Sequence, residues 1–108
     1  MEKVYNKLVR DNIPAIIVAE GRKPVVRVLN DVEYLDALNK KLLEEIHEYI
    51  SENCLDELCD ILEVAYAIAK AKGYSDDDIE NHRINKNTKN GAFEKKFYLE
   101  RIITEESE

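Results

Sequence analysis

The stretch from residue 55 to residue 72 constrains this chain more than any other. Its apolar residues recur at three- and four-residue intervals, which predicts a helix that ends at Gly73. One apolar stripe runs through Leu55, Leu58, Leu62, Ala65, Tyr66 and Ala69, and a second through Ile61, Val64 and Ile68. Only a narrow strip is left for solvent: Asp56, Glu63 and Lys70, at steps of seven. A helix with so little polar surface must be covered on most sides. Two acids interrupt the pattern. Glu57 lies in line with the second stripe, and Asp60 sits beside that line. A carboxylate on a packed face is costly unless a cation compensates it. Neither Lys nor Arg lies on that stripe. A divalent cation satisfies several carboxylates at once, and an all-oxygen set favours Mg²⁺ or Mn²⁺ over zinc.

A second amphipathic helix precedes this one. Asn30 or Asp31 caps it, Glu33 suits its first turn, and Leu35, Leu38, Leu42, Ile46 and Tyr49 form its apolar face. Glu45 and Glu48 flank that face with Lys41 alongside, while Glu44 points further toward solvent, where it suits an outer or water-mediated role. Glu45 and Glu48 are three apart, as are Glu57 and Asp60, so each pair projects from neighbouring turns. Packing the two helices together makes a cluster of four carboxylates. An E-x-x-E pair alone is common on solvent faces. Its combination with a short gap, E-x-x-D and an otherwise apolar helix is much rarer.

The remaining elements are shorter. Asn12-Ile13-Pro14 opens a helix that stops at Gly21. Residues 25–29, rich in valine, suit an extended segment. Ser75 caps a fourth helix with acids in its first turn, and Asn90-Gly91 ends it. Phe97-Tyr98-Leu99 suits an extended segment, and residues 104–108 a frayed acidic tail. The expected architecture is all-α: one domain over residues 1–108, a bundle of about four helices with short extended segments.

Composition narrows the partners. At 108 residues the core is small, so self-association into a homo-oligomer is expected. A net charge of −7 is the wrong sign for a sequence-independent nucleic-acid binder. It leaves room for a phosphorylated ligand, because bound metal ions reverse the local sign. Cys54 and Cys59, five apart on one helix, cannot easily pair and read as small core residues of a reducing compartment. The charged opening is unlike a signal peptide. The longest apolar-rich run, residues 61–71, is too short to span a bilayer, so a cytoplasmic protein is expected.

The string Glu44-Glu45-Ile46-His47-Glu48, followed by Glu57-Leu58-Cys59-Asp60, resembles the E-E-x-x-E … E-x-x-D signature of MazG-like pyrophosphohydrolases. Lys7-Leu8-Val9-Arg10-Asp11-Asn12-Ile13-Pro14 resembles the K-L-V-R-D-x-I-P opening of their phosphoribosyl-ATP pyrophosphohydrolase-like subgroup. Lys86 and Lys89-Asn90-Gly91-Ala92-Phe93 resemble that subgroup's K-x-x-K-R-G-G-F segment, with Asn90 and Ala92 departing from the Arg and second Gly. The gap between Glu48 and Glu57 is also short.

The resemblance implies a helical bundle, dimeric or tetrameric, with Mg²⁺ held by Glu45, Glu48, Glu57 and Asp60 and with Mn²⁺ as a substitute. It implies hydrolysis of a nucleoside triphosphate to monophosphate and pyrophosphate, Glu45 and Glu48 being catalytic and Glu45 nearest the attacking water. Such an enzyme would clear non-standard or excess nucleotides. Candidate phosphate-binding cations are Lys7, Arg10, Arg83, Lys86 and Lys89; Arg83 and Lys86 share a helix face. Arg10 suits either a phosphate or a structural carboxylate. Tyr49 and Tyr66 fall on packed stripes, and core or interface packing suits Phe93 and Tyr98 better than base stacking. Two rival readings are phosphoribosyl-ATP pyrophosphohydrolase of histidine biosynthesis and a non-catalytic helical interaction module.

Overall fold

The structure is a computed structural model that describes residues 1–105. Among them are four helices and no strand: α1 (Ile13–Ala19), α2 (Asp31–Glu52), α3 (Leu55–Ala71) and α4 (Asp76–Asn90). The expectation for the acidic tail falls partly on residues 106–108, outside the described residues. Residues 25–29, expected to be extended, are neither helix nor strand, and Val25, Val26 and Val28 are exposed.

The helix ends follow from side-chain chemistry. The Asn30 side chain accepts the Glu33 N–H at 2.9 Å, and the Glu33 carboxylate accepts the Asn30 N–H at 3.4 Å. Ser75 and Asp78 repeat this reciprocal cap at the start of α4, at 3.1 and 2.9 Å. Asn12 opens α1 without a side-chain cap, relying on the proline in the first turn. At the end of α2, Asn53 takes a left-handed conformation (φ 55°, ψ 38°), and its N–H donates to the Tyr49 carbonyl at 2.8 Å. Asparagine tolerates that conformation better than most residues.

Only Asn53 and Cys54 separate α2 from α3, so the two helices fold back as an antiparallel hairpin. Leu38 (2% exposed) and Val64 (9%) form its centre. The second stripe of α3 packs inward, Ile61 and Ile68 being half-buried beside Val64. The first does not: Leu55, Leu58 and Leu62 are exposed. Leu43 and Ile50 of α2 are exposed as well. At about 100° per residue, both exposed sets lie roughly 120° around from the packed face. In an antiparallel pair those rotations bring them to the same side. The acids Glu45, Glu48 and Asp60 are rotated the other way. The hairpin therefore has an acidic face and an apolar face on opposite sides.

This corrects one expectation. Cys54 and Cys59 are free and exposed, not core residues, because Cys59 lies nearly opposite the packed stripe. The all-α expectation holds, with the packing concentrated in the α2–α3 hairpin. Helix α4 packs lightly on α3, and α1 contacts no other helix. The radius of gyration is 19.9 Å and the extents are 75 × 32 × 24 Å, whereas a compact chain of this length has a radius near ~13 Å. No helix among the described residues is long and apolar enough to cross a membrane.

Candidate metal centre

The hairpin brings three of the four expected carboxylates together. Glu45, Glu57 and Asp60 each offer an oxygen, and these oxygens all lie within 4.8 Å of one another. Glu45 projects from the middle of α2, Glu57 from the first turn of α3, and Asp60 one turn further along. Glu48 completes the group: it is more exposed, and its carboxylate lies against that of Glu57. The i, i+3 spacing on each helix sets the pairs, and the short connection opposes them.

Glu45 is 5% exposed. One of its oxygens, Oε1, stands 3.3 Å from Lys41 Nζ. The other, Oε2, is buried with no hydrogen-bond partner, and so is Oε2 of Glu57. Buried carboxylate oxygens are seldom left this way, since each forfeits its hydration without replacement. Burial pushes the Glu45 carboxyl above the ordinary carboxylate range, against the pull of Lys41; Glu48 and Asp60 add to the rise. Glu57 is raised for the same reason, by desolvation first and then by Glu48, Asp60 and Glu45. Buried oxygens without partners, on two members of a small acidic cluster, suit a hard divalent cation with oxygen ligands.

Cations do reach the cluster, from outside the α3 stripe. Arg10 Nη2 donates to Asp60 Oδ1 at 2.6 Å, and Lys7 Nζ donates to Glu44 Oε1 at 2.8 Å. Lys41 Nζ also stands 3.5 Å from Glu44 Oε2. The hydrogen bond from Lys7 draws the Glu44 carboxyl below its usual range despite partial burial, and it raises Lys7 in turn. Glu44 is thus an anchor for the N-terminal segment, not part of the close group. The Lys41 contact follows from helix spacing. The Arg10 contact spans 50 positions, and no local pattern announces it.

The other candidate cations are elsewhere. Arg83 pairs with Glu80 on its own helix. Lys86 and Lys89 are exposed on α4, and among the described residues neither forms an ion pair. Of the five cations singled out in the sequence, the structure brings Lys7 and Arg10 to the acidic face. A shallow cleft beside it is lined by Lys7, Arg27, Lys40, Lys41 and Glu44 among others.

No family model matches the chain, and no solved structure does. A protein of Mycolicibacterium smegmatis, described as an uncharacterized protein, is 57% identical over 42 residues. That match covers 39% of this chain and 43% of the relative, so it spans less than half of the relative's length.

Proposed function

We propose that this chain is a Mg²⁺-dependent nucleoside triphosphate pyrophosphohydrolase working as a homo-oligomer. One observation carries the reading: Glu45 and Glu57 each keep a buried Oε2 without a partner, and their carboxylates form one close group with that of Asp60. The resemblance of the acidic signature to MazG-like pyrophosphohydrolases points the same way. A cytoplasmic location accords with it.

Glu45, Glu48, Glu57 and Asp60 would hold the ion, with Mn²⁺ able to replace Mg²⁺. Bound there, the ion would neutralise triphosphate oxygens and polarise the phosphorus. Glu45, nearest the attacking water, would orient it, and the more exposed Glu48, with an oxygen left over from the ion, would take its proton as water adds to the α-phosphorus. The bond from that phosphorus to the bridging oxygen breaks, and pyrophosphate leaves. Arg10, already on this face, would supply donors for the phosphates, and Lys7 would add positive charge beside it.

The test is a panel of nucleotides with Mg²⁺, read as release of pyrophosphate and monophosphate. Glu48→Gln and Asp60→Asn should each lower turnover by at least ~100-fold, a size usual for loss of a catalytic carboxylate, with helical circular dichroism unchanged. No turnover on any nucleotide would refute the proposal. One observation favours a non-catalytic interaction module instead: Arg10 and Lys41 already offset part of the acidic charge. That reading requires that Mg²⁺ and nucleotide give no calorimetric heat and no stabilisation.

A further inference from the structure

We propose that Arg10 couples metal binding to phosphate binding, holding Asp60 while the cluster lacks a divalent cation and passing to a ligand phosphate when one arrives. The inference rests on the metal half of the function proposed above and not on hydrolysis.

Arg10 occupies one oxygen of a carboxylate that belongs to the close group, at 2.6 Å. Lys41 and Lys7 are placed differently. Lys41 is fixed one turn from Glu45 on the same helix, its side chain only 16% exposed. Lys7 pairs with Glu44, outside the close group. Arg10 is therefore the mobile competitor for the metal's ligands, and Lys7 can keep its hold as the anchor. The segment suits such movement. Of residues 1–11 only Leu8 is half-buried, none is helical, and α1 directly after it contacts no other helix.

Magnitudes decide the direction of exchange. The side chains of Arg10 and Asp60 are 56% and 33% exposed, and an exposed pair of this kind biases an equilibrium by no more than about fivefold. Glu44, Glu45, Glu48, Glu57 and Asp60 bring five negative charges, against three positive ones on Lys7, Arg10 and Lys41. Five less three leaves two, so the cluster still attracts a divalent ion with Arg10 in place. Once the ion shares Asp60, it repels the guanidinium. A freed guanidinium presents five donors in a planar fork, a shape that fits phosphate oxygens in pairs. Metal and phosphate then favour each other's binding, as linkage requires.

The experiment uses calorimetry on the full chain and on Arg10→Ala and Arg10→Lys, with Mg²⁺ alone and with pyrophosphate at saturating Mg²⁺. The mobility of the Arg10 side chain is followed by nuclear magnetic resonance relaxation of its Nε–H, with and without Mg²⁺. Arg10→Ala should bind Mg²⁺ about two- to fivefold more tightly and pyrophosphate at least ~10-fold more weakly. Arg10→Lys should fall between, and Mg²⁺ should make the Arg10 guanidinium more mobile in the unaltered protein. Mg²⁺ binding with the Arg10 side chain as rigid as before, or unchanged pyrophosphate affinity in Arg10→Ala, overturns the coupling and leaves the metal site standing. Failure of both the unaltered protein and Arg10→Ala to bind Mg²⁺ overturns the site and the coupling together.

Discussion

Glu45 is the charged side chain most deeply enclosed by the hairpin, and its protonation should be visible in stability. Burial raises its folded-state pKa above the unfolded value. Folding thus favours the protonated form. The stabilising contribution is complete below the unfolded carboxylate range and is lost as pH rises through the folded pKa. In metal-free protein at pH 7, Glu45→Gln should therefore raise the melting temperature by a few degrees, on the order of 1 kcal/mol. The gain should vanish near about pH 4, where free carboxyls also protonate. Saturating Mg²⁺ should reverse the order, because the amide cannot replace the carboxylate as a ligand. Thermal melts at two pH values, with and without Mg²⁺, check all three. A variant less stable than the native chain under every condition would show that Lys41 already satisfies this carboxylate.

At the scale of elements, most helix ends were legible because they depend on local chemistry: Asn30 with Glu33, Ser75 before an acidic first turn, Gly21, Gly73 and Asn90-Gly91. Which stripe of α3 faces α2 was not. Leu55-Leu58-Leu62 and Ile61-Val64-Ile68 have the same periodicity, and only the partner helix selects between them. Glu57 sided with the inward stripe, so the close approach of the acids was readable while the cysteine environment was not. Arg10 on Asp60 lay beyond local pattern altogether. Helical phase also sets the cluster. One residue inserted within α3, between Leu58 and Cys59, would rotate Glu57 by about 100° relative to Asp60 and the packed Ile61-Val64-Ile68 stripe. Such an insertion should keep helix content yet lower Mg²⁺ affinity by at least ~10-fold, as expected for lost ligands. Unchanged affinity in a titration would mean that the carboxylates do not act as a set.

Among the described residues many large apolar side chains are exposed, while the buried core is Leu38 and Val64. Leu43, Ile50, Leu55, Leu58 and Leu62 share one side of the hairpin and offer on the order of 500 Å², much of the centre of an interface that needs ~800 Å² per partner. Two hairpins joined through these sides would complete a four-helix arrangement. Leu58→Glu should then leave the helices intact and yield monomers by light scattering. A native chain that is monomeric, or a variant that assembles unchanged, would exclude this side as the contact. Because the carboxylates lie on the reverse of the hairpin, such a pair would turn its ion-holding sites outward, across two helical layers or roughly 20 Å. At physiological salt, fields fade over about 8 Å. Each subunit would then fill without sensing its twin, giving a simple hyperbolic Mg²⁺ isotherm.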